Sequence, residues 1–469
     1  MRGLKATVEV MSPEEVQLIH DSSLKILEKM GINVPNKEIL HLCEELGGIV
    51  DYDEELLKIP APAMEKVLEI VRQENKEWFL REKDNKTITA NISTQVRYTD
   101  YKTRTSRYGL REDNLKGFML VDTLKNFPGN STIVVPSDVP EAISDLISFR
   151  DLYQYSHKPG GTYILTPQTA KYILELDRLM KKESWYFLET ISPLSYKRDT
   201  LEIALMYTKS GGKLALGPMA MSSATAPASL AGALTMENAE ILGSMFIIYA
   251  MNHQTTGYSA PMHSVDMKTM LCSFGSANQA LFGVAVAQMC HHYGVLGMTN
   301  AGLTDALLPD FQGGFEKGVT AVFNFLAGTR GMGAQGIVGA DQGANLEQLV
   351  IDNEWIEYYN YITRGFEVSA DSIGLDTIFD VGIKGNFLSE EHTVEYMRES
   401  YLSSNLFLRE SWDNWTRSGQ KELLDRAHEY VETVTAGWKD REPVLEPSLC
   451  QEMDRIVACA EEEILGKKS

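Results

Sequence analysis

Cysteine, positive charge and long apolar runs are what this chain has little of, and each shortage removes a class of protein. Its five cysteines, Cys43, Cys272, Cys290, Cys450 and Cys459, are an odd, widely spaced set without a C-x-x-C pair, which argues against a disulfide framework or a zinc finger. No basic-then-apolar signal pattern opens the sequence, so a cytoplasmic location is expected, and the Asn-x-Ser/Thr matches at Asn85, Asn91, Asn130 and Asn414 read as chance. Lysine and arginine number 44 against 65 acidic residues, a net charge of -21. That balance disfavours nucleic acid and anionic membrane surfaces as partners. The most apolar stretch, 226–251, is interrupted by Glu237, Asn238 and Glu240 and reads as a packed helix pair, not a membrane span. Missing too are a Ser-His-Asp signature, G-x-S-x-G, H-E-x-x-H, and a lysine at a strand end suited to a Schiff base.

What is present centres on residues 294–354, which read as two successive βα units. Their strand exits carry Asp305, Asp310, Gln312, Gln335, Asp341, Gln342 and Asn345. In α/β folds, ligands sit at such exits. Gly331, Gly333 and Gly336 spell G-x-G-x-x-G, yet the order around them is reversed: a helical pattern precedes the glycines and a strand pattern follows. A dinucleotide fingerprint needs strand first and helix second, so these glycines predict an α-to-β connection.

Ser12-Pro13-Glu14-Glu15 predicts a capped helix running to Gly31; helices over 36–46 and 62–72 and short strands between Trp78 and Thr99, turning at Asp84-Asn85-Lys86, complete an N-terminal helical/β appendage, residues 1–115. From 116 to 390 short apolar strands alternate with amphipathic helices. The strands are predicted at 132–135, 161–165, 186–190, 214–217, 255–259, 295–299 and 336–338, with an eighth near 376–381. Repeated βα units close most naturally as a (β/α)8 TIM barrel, with an open doubly wound sheet as the alternative. Residues 391–469 predict C-terminal helices packed on the barrel flank or on a subunit neighbour, so a homo-oligomer is expected.

If the barrel forms, the strand exits converge on a mouth rich in small, amide, hydroxyl and methionine side chains and poor in acids and bases. Such a site is built for binding and orientation. Cys290-His291-His292 is the one dense metal-capable cluster, but adjacent residues on a helix face different ways, so no metal site is expected. His263 follows the fifth strand and is read equally as a ligand contact or a loop hydrogen bond; His392 sits at a helix start. Tyr98, Tyr101, Tyr108, Trp355, Tyr358, Tyr359, Tyr361 and Phe366 form two aromatic clusters. Rings around a cavity bind quaternary ammonium at about 0.5 to 2 kcal/mol per contact, while rings at helical spacing are also ordinary core.

Gly302-Leu303-Thr304-Asp305, Pro309-Asp310-x-Gln312-x-Gly314-x-Glu316-Lys317, Ala327-Gly328 and the run 347–354, with Asn386-Phe387-Leu388-x-x-x-His392-Thr393, Arg398, Leu406, Arg409, Trp415 and Gly419, resemble the trimethylamine methyltransferase family. So does Arg111-Glu112-Asp113 through Asp122 and Leu124, and the resemblance spans most of the chain. It implies a barrel that moves a methyl group from an amine to the Co(I) corrinoid (cobalamin) of a separate, cognate corrinoid protein, with no cofactor tightly bound to the chain itself. Archaeal members carry pyrrolysine, whereas this sequence has only standard residues. That departure points to the pyrrolysine-free relatives that demethylate quaternary amines such as glycine betaine, proline betaine or carnitine.

A quaternary nitrogen is already a competent leaving group, which agrees with a site poor in proton movers. Asp305, Gln335 and Gln342 are the expected catalytic groups. Tyr98, Tyr101, His263, Arg330, Asp341, Asn345, Gln348, Phe366 and His392 are expected to bind substrate, with Arg330, His392 or Arg364 pairing a betaine carboxylate. The alternative function is a metal-assisted lyase or hydrolase using His263, His291 or His292.

Overall fold

The computed structural model describes residues 8–82, 87–329, 331–333, 335–340, 342–404 and 406–466. Ser12 opens the first helix as predicted: its hydroxyl accepts the Glu15 amide at 3.3 Å, the Glu15 carboxylate accepts the Ser12 amide at 2.7 Å, and Pro13 takes the first turn of Pro13–Lys29. Asn36 caps Lys37–Glu45, its side-chain oxygen accepting the Glu38 and Ile39 amides. The third helix, Ala61–Glu82, runs ten residues beyond its predicted end, absorbing the stretch from Trp78 that was expected to begin the strands. The predicted turn Asp84-Asn85-Lys86 lies outside the described residues.

These three helices bury Leu27, Ile39, Leu40, Met64 and Leu68 in one core with Ile241, Leu242 and Phe246. The last three lie on Leu230–Asn252, a single helix where a helix pair was expected. It is apolar nearly all round because the N-terminal helices cover one side and other helices and strands the rest.

The fold is α/β with parallel-strand sheets. Tyr258–Ala260, Gly297–Thr299, Gly331–Met332 and Thr89–Ala90 lie side by side in that order, every pairing parallel. Trp185–Leu188 pairs in parallel with Lys213–Leu216. A mixed sheet runs Ile337–Val338, Gly343–Ala344, Arg97–Thr99, Ser106–Tyr108, and a third joins Met221–Ser222, His263–Val265 and Cys272–Ser273. Strands from the N-terminal segment therefore pair directly with strands some 240 residues later, through Gly331↔Thr89 and Gly343↔Arg97.

Several predicted strands are shorter than expected or absent, and at two places a side-chain amide stands where a ladder partner would. At 132–135 no ladder forms. The Asn114 amide oxygen instead accepts both the Ile133 and Val134 amides at 3.0 Å, its nitrogen donates to the Val134 carbonyl at 2.9 Å, and only a bridge Gln95↔Val134 remains. Gln254 does likewise for Leu214, accepting from its amide at 2.9 Å and donating to its carbonyl at 2.7 Å. A buried amide side chain thus completes backbone hydrogen bonding where a neighbouring strand would otherwise be needed. At 161–165 a parallel bridge Asn130↔Pro159 stands just before the expected strand. The predicted eighth strand at 376–381 is the helix Leu375–Val381, with no buried residue.

Of the C-terminal helices, Leu423–Thr435 lies against Leu346–Arg364, and Pro447–Leu465 buries Met453, Ile456, Val457 and Ala460 with Ile173 and Leu176. Among the described residues, no helix is long and apolar enough to cross a membrane.

Candidate active site at the strand exits

The exit that follows Gly297–Thr299 holds Asp305, and two elements fix it. Its carboxylate accepts the Ser273 hydroxyl and the Phe274 amide, both at 2.6 Å, so the aspartate ties this exit to the strand Cys272–Ser273. Its own amide donates to the Glu316 carboxylate at 2.9 Å, which also accepts the Thr304 hydroxyl at 2.6 Å. Glu316 lies one turn inside Phe311–Ala327, a helix capped by Asp310 through the Gly313 amide at 2.9 Å. Asp310 is therefore a cap, and Gln312 donates to Glu316 at 2.8 Å.

The glycine-rich segment lies against this exit. The Gly333, Gly339 and Ala340 amides donate to the Ala301, Ala306 and Thr304 carbonyls at 2.8, 2.7 and 3.0 Å. Phe274, Leu303, Ile337 and Ala340 form a small buried core beneath the contact. The glycines make the predicted α-to-β connection: the helix ends at Gly328 (φ 114°), and Gly336 and Gly339 adopt φ of 70° and 67°. Gln335 and Gln342 both lie on this segment, Gln335 half-buried and Gln342 exposed at the hairpin turn.

His263 is buried with its ring 4.6 Å from that of Phe274 and its Nδ1 3.3 Å from the Pro261 carbonyl. Burial holds its pKa below the ordinary imidazole value, against smaller opposing pulls from the Pro261 carbonyl and then Asp305. Asn345 is the N-cap of Leu346–Arg364. Its oxygen accepts the Gln348 amide at 2.7 Å and its nitrogen donates to the Thr99 carbonyl at 2.9 Å, next to Tyr98. The Tyr98 ring already carries the Arg107 guanidinium, 4.7 Å from its centroid. Gln348 is buried and donates to Asp352 at 2.7 Å.

Asp352 leads to the feature that sequence reasoning missed. Lys317 and Asp352 are 1% and 0% exposed and form an ion pair at 3.1 Å. The ammonium also donates to the Gly302 carbonyl at 3.1 Å, and the carboxylate also accepts from the Gly336 amide and the Trp355 indole, both at 2.9 Å. Burial lowers the lysine pKa and raises that of the aspartate, while their mutual attraction opposes both shifts. The pair thus fastens the Asp305 exit to the glycine-rich segment from below. A signal existed: Lys317 shares a helix face with the buried Gly313, Thr320, Ala321 and Asn324, where a charge must find a partner.

The remaining candidates lie elsewhere. Tyr101 donates to Asp425 at 2.6 Å and stacks on His428 at 4.0 Å, which binds it to the C-terminal helix Leu423–Thr435. Phe366 and His392 line a separate surface cavity of about 400 Å³ with Tyr361, Arg364 and Tyr396. Arg330 and Asp341 lie outside the described residues. Cys290 is buried against Gly297, the His292 ring sits 5.2 Å from that of His20, and among the described residues no three His, Cys, Asp or Glu side chains gather into a metal-holding group.

This is an α/β protein whose best-organised polar cluster stands at the exits of parallel strands and contains orienting groups without a nucleophile–base pair. The family model "Trimethylamine methyltransferase (MTTB)" matches residues 1–464, and the chain belongs to that family of methyltransferases. It is 25% identical over 439 residues to trimethylamine methyltransferase MttB of Desulfitobacterium hafniense (strain DSM 10664 / DCB-2), covering 89% of this chain and 87% of that one. It is 24% identical over 478 residues to glycine betaine methyltransferase of Desulfitobacterium hafniense (strain Y51), covering 98% of each. The crystal structure of monomethylamine methyltransferase (MtmB) of Methanosarcina barkeri aligns over 92% of this chain and 98% of that one, with TM-score 0.41 and 9% identity.

Proposed function

We propose that this chain demethylates a small quaternary amine of the glycine betaine kind and delivers the methyl group to the corrinoid of a partner protein. The observation that carries the reading is Asp305, a carboxylate at a strand exit held by the Ser273 hydroxyl and the Phe274 amide, with no acid or base bonded to it. It stands ready as a fixed negative charge for an ammonium. Gln335 and Gln342 would add carbonyl dipoles from the glycine-rich segment, and Phe274, Leu303 and Ile337 would keep water from the reacting side.

The partner's corrinoid supplies a Co(I) nucleophile when it docks. As the methyl leaves, the carbon–nitrogen electron pair stays on nitrogen, so the product is a neutral tertiary amine and no proton has to be supplied. His263, neutral through burial, is suited to shape the pocket and not to donate a proton. Exposed Leu307, Phe311 and Phe315 leave the exit open, which fits a reactive group brought from outside.

The reading extends to the architecture: the strands close as an eight-stranded barrel. Supporting this are the parallel bridges Gln95↔Val134 and Asn130↔Pro159, which add two further parallel pairings outside the regular strands. On this view the strand missing from the predicted set of eight is Thr89–Ala90, not the segment near 376–381.

The test mixes the full chain with a reduced corrinoid, free or on its carrier, and adds glycine betaine, proline betaine, carnitine, γ-butyrobetaine and trimethylamine separately. Loss of the Co(I) absorption with one quaternary amine and not with trimethylamine is the expected result. Turnover of trimethylamine alone would overturn the substrate assignment.

A further inference from the structure

The strands that lead to the Asp305 exit have a second end, and a cavity of about 410 Å³ opens there. Residues at or just before strand starts line it: Trp185 begins Trp185–Leu188, Thr255 and Thr256 precede Tyr258–Ala260, and Gly328 precedes Gly331–Met332. Trp78, near the end of Ala61–Glu82, lines it as well. Asp305 follows Thr299, past the opposite end of its strand.

The strand register explains why the space exists. Parallel pairing sets Phe187 beside Ala215, and Ser259, Met298 and Gly331 in one row, and all five line the cavity. Successive side chains on a strand alternate between faces, and the alternate residues Tyr186, Leu188, Leu214, Leu216, Tyr258 and Ala260 are buried in the core shared with the helices Pro13–Lys29 and Leu230–Asn252. A parallel sheet is normally buried on both faces by Val, Ile and Leu. Here Ala, Ser and Gly hold three of the five inner positions, and Gly217 makes room for the Phe187 ring, which a Cβ there would overlap.

The lining selects a kind of ligand. Among the described residues no charged side chain lines the cavity, so an ion entering it would lose hydration without gaining a partner. Trp78, Trp185 and Phe187 remain 40, 50 and 39% exposed, which leaves ring faces free for stacking. The Lys213 ammonium stands 5.4 Å from the Trp185 centroid, so a cation drawn to that ring would meet like charge. Thr256 and Ser259 add hydroxyls that are buried without a hydrogen-bond partner among the described residues. A group left so is costly, and a ligand atom can satisfy it.

We propose that this cavity is a second ligand site, separate from the strand exits, for a small uncharged compound carrying a flat ring and a hydrogen-bonding group. Sites for small molecules span about 300 to 1,000 Å³ and are mostly apolar with a few polar groups, as here. The tryptophan and phenylalanine rings stack on the ligand, the Met298 thioether adapts to its edge, and the Ser259 or Thr256 hydroxyl turns to bond its polar group.

Three probes with one ring and three charges test this on the full chain: benzyl alcohol, benzoate and benzyltrimethylammonium, followed by saturation-transfer NMR and titration calorimetry. Benzyl alcohol is expected to bind saturably at one site per chain, about tenfold or more tighter than either ion. Ser259→Leu fills the cavity and Trp185→Ala removes a half-exposed ring, and each should weaken binding about tenfold. Circular dichroism checks that both fold; should Ser259→Leu not fold, Trp185→Ala decides alone. Absence of saturable benzyl alcohol binding overturns the proposal, as does unchanged affinity in Trp185→Ala or a preference for either ion. Displacement of benzyl alcohol by glycine betaine also overturns it, because the cavity would then belong to the substrate site. None of these readouts needs corrinoid or turnover, so the methyl-transfer reading stands or falls separately.

Discussion

The strand-exit cluster of residues 302–352 and the arm of residues 364–404 are neighbours in sequence and opposites in construction. In the cluster, backbone amides, a buried ion pair and a small apolar core bind three loops to one another, so its side chains are placed by contacts from several elements. In the arm, short helices hold each other through caps and carbonyl contacts while their apolar faces look outward. Self-sufficient packing marks a region that must hold a geometry, and missing packing marks one whose own contacts add little to stability.

The largest effect that would sharpen this contrast is in the ion pair. Lys317→Met leaves Asp352 charged and buried and should cost about 3–5 kcal/mol in urea unfolding. His392→Gln in the arm should change the stability of the isolated chain by less than about 0.5 kcal/mol. Equal costs would break the comparison. Replacing both members, Lys317→Met with Asp352→Leu, should recover only part of the loss, because the Gly336, Gln348 and Trp355 donors are then unpaired.

Asp305→Ala comes next. It frees Ser273 and Phe274 and removes the proposed ammonium partner, so methyl transfer should fall roughly 10²-fold, as small misplacements in a site can cost. Unchanged transfer would strike Asp305 from the site.

The pH dependence is smaller. Burial depresses the His263 pKa in the folded state, so its stabilising contribution is complete above the unfolded value of about 6.5 and is lost as pH falls below it towards the folded value. Thermal melts from pH 7.5 to 5 should therefore show a steeper decline for wild type than for His263→Gln. His292 shifts in the same direction and remains in both proteins, so the difference between the two curves isolates His263.

Smallest is Gln342→Ala. At an exposed turn it should alter stability by under about 0.5 kcal/mol, so any rise in KM reports contact with substrate directly.

How far the site was legible follows from which interactions are local. Ser12 announced a helix start and 36–46 read as a helix because caps and periodicity act within a few residues, and the structure has both, whereas Asn345, expected to bind substrate, is a helix cap. Asp305, Gln335 and Gln342 were singled out from their place after apolar strands, and they do fall on two loops in direct contact. Tyr101 was drawn towards substrate by its aromatic character, but its neighbours His428 and Asp425 lie more than 320 positions along the chain, and no local pattern foretells them. Residues 376–381 were expected to supply a short eighth strand, yet they lie in the helix Leu375–Val381.

The sequence by itself determined the capped start of the first helix, the α/β class and the family, because capping, periodicity and residue chemistry are local properties. Only the tertiary structure decided that Thr89–Ala90 and Arg97–Thr99 enter sheets with strands 240 residues away, that Lys317 finds Asp352, and that one arm is left uncovered. Those outcomes rest on long-range pairing and burial, which bring together groups whose separation along the chain carries no trace of the contact.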